Sequence, residues 1–202
     1  MSQLLEKLGK KLDEEQRILL SGMRWRQYEA VRAILYDVPG VRTAYLDGNV
    51  EVLTLSKKHE KIKSNISRLL DTYLDEVGID FYRTGSFTMG GEDKNASAEP
   101  DESYSLDEEK TVPDLVIEVI ITSGKLKRRE IFRRLGVAEA WYWKEEQLFI
   151  YNLRSPEDEP IPQSALFPNL DLELFTRCVN MLDQKIAVKE FRSIIRATLR
   201  SN

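Results

Sequence analysis

The residues best suited to chemistry lie between positions 99 and 118. They are Glu99-Pro100-Asp101-Glu102, Pro113-Asp114, and Glu118 inside the apolar run Leu115-Val-Ile-Glu-Val-Ile-Ile121. A carboxylate in the middle of a strand-like apolar run costs several kcal/mol unless it is paired or binds a metal. Side chains alternate faces along a strand, so Asp114 and Glu118 share a face but stand roughly 13 Å apart at ~3.3 Å per residue. That separation is too long for one small cation to bridge, since Mg²⁺ takes oxygen donors at ~2.0–2.1 Å and accepts only one or two protein carboxylates plus waters.

Glu118 therefore needs a partner on a neighbouring strand. Asp101–Leu106 can pair with Val116–Ile121 through a turn near Asp107–Thr111, and neighbouring strands lie ~4.8 Å apart. Asp101 and Glu118 are the expected metal pair, and Asp114 is expected to cap the strand entrance or support the site from behind. The plain alternative is that Asp101 and Asp114 are turn residues following proline, with Glu118 facing solvent on an edge strand.

Several other groups are candidates. Lys125, Lys127, Arg128, Arg129, Arg133 and Arg134 crowd one short helix. They could grip a phosphate backbone, or form a solvated face balanced by Glu130 and Glu139. Arg128 precedes Ile131, Phe132 and Leu135 by three, four and seven residues, which places it on the inward stripe. His59 lies on the inward stripe of its own helix, with Ile62 and Ile66, and could reach the site or be a satisfied structural residue. Trp141, Tyr142 and Trp143 could stack on bases but fit a core better.

The elements that must position these groups follow from periodicity. Trp25, Tyr28, Val31 and Leu35 mark an amphipathic helix stopped at Pro39-Gly40, and Arg42–Leu46 and Val50–Thr54 flank Asp47-Gly48-Asn49 as a hairpin. Ser56 can cap a helix whose stripe runs from Ile62 through Ile66, Leu69, Leu70 and Tyr73 to Val77. Short strands are expected at Ile79–Tyr82 and Ser86–Met89, with a polar loop from Gly90-Gly91 to Ala98. A helix over Ile131, Phe132 and Leu135 closes at Gly136, two aromatic-rich strands follow at Ala140–Trp143 and Leu148–Leu153, and residues 154–162 form a loop. Thr176–Leu199 reads as an amphipathic helix or helix pair. The order predicts a mixed α/β (α+β) fold, a central mixed β-sheet flanked by helices.

Composition sets the outer limits. The chain has 202 residues, 42% hydrophobic and 32% charged, with a formal net charge of -4, which suits one core at 23–202 behind a weakly ordered leader at 1–22. An acidic whole argues against a globally basic nucleic-acid binder but allows a local patch. One Cys and one His exclude an internal disulfide and a Cys/His zinc site and fit a reducing cytoplasm. No window approaches the ~18 consecutive apolar residues of a membrane span, and the leader lacks the apolar centre of a signal peptide.

From Trp25 to Leu172 the chain resembles the Uma-type restriction endonucleases, a branch of the PD-(D/E)XK nuclease superfamily. The matching pieces are Tyr45-Leu-Asp-Gly48 with Glu51, His59-Glu60, Gly85-Ser86, Glu99-Pro-Asp-Glu-Ser-Tyr104, Pro113-Asp-Leu-Val-Ile-Glu-Val119, Arg134-Leu-Gly-Val137 and Glu139-Ala-Trp141. The resemblance implies a restriction-endonuclease-like core, a Mg²⁺ site (Mn²⁺ as substitute) built from an Asp and a Glu, and hydrolysis of DNA phosphodiesters. It assigns the two metal acids to Asp101 and Glu118 and a helix acid near the sheet to Glu60. The chain departs from the superfamily where a lysine is expected two residues after the acid, because Ile120 stands there; family members often supply the basic group from the following helix, at Lys127 or Arg128. Arginine stays protonated, so Arg128 suits phosphate orientation and charge neutralisation better than proton abstraction.

The leading expectation is a Mg²⁺-dependent DNA endonuclease, with a homodimer as a natural way to address two strands. The competing one is a catalytically degenerate member that binds nucleic acid or a protein partner without cleavage. A third is an oligomerisation or toxin–antitoxin-type module that uses the leader and the C-terminal helix.

Overall fold

A computed structural model describes residues 15–122 and 126–201. Lys125 and residues 1–14 of the expected leader lie outside the described residues.

The expected hairpin consists of β2 (Val41–Leu46) and β3 (Asn49–Thr54). Its turn residues Asp47 and Gly48 have φ of 46° and 82°, the two positive values a type I′ turn needs and Asp-Gly supplies. Residues 16–21, expected in the leader, instead form strand β1 (Gln16–Ser21), antiparallel to β3 from Gln16↔Thr54 to Ser21↔Asn49. Backbone pairing with the open edge of β3 holds this strand. Its side chains are mostly exposed, which is why it carries no alternating signal.

A second correction concerns residues 86–98. The strand expected at Ser86–Met89 lies instead at β5 (Met89–Gly91), and the expected polar loop contains a 3-10 turn at Glu92–Lys94 and strand β6 (Ala96–Ala98). Small residues predominate in these strands, and at Gly90 the reason is direct: a Cβ there would collide with the Ala96 carbonyl. Together these strands make an antiparallel sheet in the order β1-β3-β2-β6-β5.

The remaining strands are β4 (Phe81–Arg83), β7 (Glu102–Leu106), β8 (Leu115–Ile120), β9 (Glu139–Lys144) and β10 (Gln147–Asn152). They form a mixed sheet in the order β10-β9-β8-β7-β4, parallel only between β8 and β9. The fold is thus mixed α/β as expected, with the ten strands of the described residues divided between two sheets.

The helices are α1 (Trp25–Leu35), α2 (Lys57–Val77), α3 (Arg128–Leu135), α4 (Leu172–Asn180) and α5 (Gln184–Ser201). Ser56 caps α2 by accepting from the His59 amide at 3.2 Å. Among the described residues no helix is long and apolar enough to cross a membrane.

Alternation along β8 and β9 divides the core. Leu115, Ile117, Val119, Trp141 and Trp143 pack with α2, α4 and α5. Val116, Ala140 and Tyr142 face the other way, against Ile131, Phe132 and Leu135 of α3 and Ala44, Leu46, Ala96 and Ala98 of the antiparallel sheet. Glu118 shares the Val116 face, so it points into the space where α3 meets both sheets.

Candidate active site

Antiparallel pairing of β7 with β8 runs through Glu102↔Ile117 and Ser103↔Val116. Asp101, the residue before β7, therefore stands opposite Glu118. The two residues are only 4% and 5% exposed. Asp101 Oδ2 accepts from the Val119 amide at 2.7 Å, so its carboxylate is anchored to the strand that carries Glu118.

On its other side Asp101 meets a histidine. His59 Nε2 is 3.0 Å from Asp101 Oδ1, and His59 Nδ1 is 2.7 Å from Glu15 Oε1. The Nδ1 contact is a hydrogen bond; the Nε2 contact is a close ion pair whose N–H is not aimed along the line. A carboxylate on each side favours the doubly protonated ring. Burial works against the imidazolium, yet the close Asp101 carboxylate together with the hydrogen bond and charge of Glu15 outweighs it and raises the His59 pKa to about 9.

Glu118 is held from the opposite side by Arg128, the first residue of α3. Nε lies 2.7 Å from Glu118 Oε2 and Nη2 donates to Oε1 at 3.0 Å. Nη2 also donates to the Glu99 carbonyl at 2.7 Å. Nη1 lies 3.6 Å from Glu51 Oε2, which is 2.7 Å from Nη1 of Arg17. Burial raises the Glu118 pKa to about 7, with the Asp101 charge adding to it and Arg128 opposing it. Burial opposes charge on Asp101 as well, but the close His59 imidazolium, the Val119 amide and Arg128 more than offset it and hold its pKa below the ordinary carboxylate range.

The structure separates the other sequence candidates. Asp114 accepts at Oδ2 from the Leu106 amide at 2.8 Å and from Lys110 Nζ at 2.7 Å, which closes the β7–β8 hairpin away from Glu118. Glu60 does not join the two acids: its side chain is 47% exposed and pairs with Lys63 at 2.7 Å. One helical residue earlier, His59 is the side chain that α2 turns inward. Lys127 is exposed beside the start of α3, and Arg129 stacks over Tyr151 at 4.0 Å from the ring centre.

Glu118 and Arg128 open onto a cleft of about 670 Å³. Its walls carry Arg17, Lys127, Arg128, Arg129, Arg133 and Lys144 against Glu118, Glu130 and Asp158. The excess of cations makes this cleft suited to an anion although the whole chain is acidic. Tyr142 is paired in register with Glu118 and lines the same cleft, with its hydroxyl buried.

Sequence reasoning missed Glu15, Arg17 and the role of Glu51. Glu51 had a usable signal, since Val50-Glu51-Val52 is a strand acid flanked by aliphatics like Glu118. Glu15 and Arg17 had none, because nothing local shows which strand β1 will join.

A mixed sheet with β8 at its centre, flanked by helices and with an Asp and a Glu opposed across β7 and β8, is a restriction-endonuclease-like arrangement. The model of the Uma2 family, described as a putative restriction endonuclease, matches residues 25–179, and the chain belongs to this family. A search of the curated proteins found no match.

Proposed function

We propose that this protein is a divalent-metal-dependent endonuclease that hydrolyses DNA phosphodiesters, with Asp101 and Glu118 as its donors to Mg²⁺ or Mn²⁺. The observation that carries the reading is the opposition of these two buried carboxylates across β7 and β8.

The donor set suits an oxygen-seeking cation. Among the described residues no three or more His, Cys, Asp and Glu side chains converge as a metal cage, and two carboxylates plus waters is the protein share Mg²⁺ ordinarily takes. Each carboxylate oxygen keeps a second lone pair beyond its present partner. Charge points the same way: Glu15, Glu51, Asp101 and Glu118 face Arg17, Arg128 and His59, and burial with the neighbouring Asp101 charge raises the Glu118 pKa to about 7, so Glu118 holds a proton that a bound cation would displace. When bound, a divalent cation supplies Lewis-acid polarisation of the phosphoryl group and acidification of water.

The protein's own groups would do the rest. Lys127, Arg129 and Arg133 line the approach to the cleft and can contact successive phosphates. Arg128 cannot take up a proton, but its planar fork can pass from Glu118 to a phosphate and neutralise charge as it develops. A homodimer would bring one such site to each strand of a duplex.

A second reading, binding without cleavage, draws on Arg128 itself. A guanidinium already neutralises Glu118 through both oxygens, which leaves less reason for a metal to enter. Incubating the purified protein with plasmid DNA and Mg²⁺ or Mn²⁺ separates the two. Nicking or linearisation that disappears in Glu118→Ala supports the nuclease; retained, salt-sensitive DNA binding with no metal-dependent cleavage supports the second reading.

A further inference from the structure

We infer that Glu15 is a positioning residue of this site: it fixes His59 and the end of β8 together, and through them sets Asp101 against Glu118. The inference rests on the proposed role of Asp101 and Glu118, and it concerns a residue that precedes the segment 25–179 matched by the family.

Glu15 uses both carboxylate oxygens. Oε1 is 2.7 Å from His59 Nδ1, and Oε2 accepts from the Thr122 amide at 3.0 Å and from the Thr122 hydroxyl at 2.7 Å. The side chains of Glu15 and His59 are both fully buried. Thr122 follows β8 by two residues, so one carboxylate grips the helix residue behind Asp101 and the chain just beyond Glu118. Arg17, two residues along β1, donates from Nη2 to the Thr122 carbonyl at 3.1 Å. Thr122 is thus held at its amide and hydroxyl by Glu15, just before β1, and at its carbonyl by Arg17 of β1.

The geometry makes the effect directional. Asp101 Oδ2 is bound to the Val119 amide and Oδ1 lies against His59. With the ring fixed by Glu15, both Asp101 oxygens have a fixed neighbour, the Val119 amide at Oδ2 and His59 at Oδ1. With the ring free to rotate, Oδ1 loses its fixed neighbour. Groups that orient a metal's carboxylate or imidazole neighbours in this way typically change metal affinity by about 10–100-fold when removed.

His59 is the sole histidine of the chain, so its ring gives one resolvable set of imidazole signals in ¹⁵N-labelled protein. In Glu15→Gln, where a neutral amide replaces the carboxylate that accepts from both His59 and Thr122, the Nδ1–H resonance is expected to shift and the Val119 amide to exchange faster with solvent. Mn²⁺ titrated alone by calorimetry is expected to bind about 10–100-fold more weakly than to the wild type. Gln16→Ala, an exposed neighbour on the same strand, is the control and should change neither signal.

Glu15→Gln spectra with the His59 and Val119 signals unchanged would overturn the inference, as would equal Mn²⁺ affinity in Glu15→Gln and wild type. Absence of Mn²⁺ binding by the wild type would overturn the metal reading; the His59 and Val119 signals would then decide the role of Glu15 alone. If Glu15→Gln unfolds, Thr122→Val, which removes only the hydroxyl contact, takes its place; a shift of the same two signals supports the inference and their constancy opposes it.

Discussion

Arg128 spans Glu118 with two nitrogens, Nε at 2.7 Å from Oε2 and Nη2 at 3.0 Å from Oε1, inside a site where both side chains are almost wholly buried. The carboxylate expected to hold a metal is thus already neutralised by the first residue of the following helix. Which cation Glu118 keeps decides what the cleft can do.

Arg128→Lys tests that competition. A lysine retains the charge but contacts one oxygen at a time, so Mn²⁺ affinity should rise in calorimetry while the melting temperature falls by an amount matching about 1–2 kcal/mol of lost hydrogen bonding. Weaker Mn²⁺ binding in the variant would show that the guanidinium supports the metal rather than competing with it.

Removing the acid instead strands the base. Glu118→Ala leaves Arg128 with the Glu99 carbonyl and Glu51 at 3.6 Å, and breaking one side of a buried ion pair costs about 3–5 kcal/mol. Urea unfolding should show a loss near that size. Adding Arg128→Met should recover much of it, because the two effects are coupled; strict additivity would show that the residues do not act as a pair.

Stability should also depend on pH in a defined sense. The His59 pKa is raised from 6.5 to about 9, so its contribution is complete below pH 6.5 and lost as pH rises through 9. Glu118, raised from 4.5 to about 7, favours the folded state while protonated and adds a loss between those values. Asp101 and Glu15 are lowered, so their contribution is lost on acidification instead. Urea midpoints should therefore fall between pH 6 and pH 10, and His59→Gln should flatten the upper part of that fall. Equal midpoints at the two pH values would contradict the His59 arrangement.

Lys127 is the simplest probe of the cleft as a nucleic-acid path. If it meets a phosphate, Lys127→Ala should weaken binding to any duplex sequence alike and reduce the slope of log affinity against log salt by about 0.9. Fluorescence anisotropy at several salt concentrations measures this, and an unchanged slope would place DNA elsewhere.

Much of this arrangement follows from local rules. The period of β8 put Glu118 on one face, the spacing of Arg128 from Ile131, Phe132 and Leu135 turned it inward, and the short β7–β8 turn made Asp101 the strand partner of Glu118. Asp47-Gly48 and the Ser56 cap announced the hairpin and α2. Each depends on residues close in the chain, where backbone geometry fixes side-chain direction. The two-sheet division and the edge position of β1 were not legible, because strand pairing depends on which backbone edge is open once the chain has folded. For the same reason only the tertiary structure decided that Glu15 stands behind His59, 44 residues away, that His59 rather than Glu60 faces Asp101, and that Arg128 lies between Glu118 and Glu51. A buried charge is stabilised by whatever partner folding brings within a few ångströms, and local sequence rules do not name that partner.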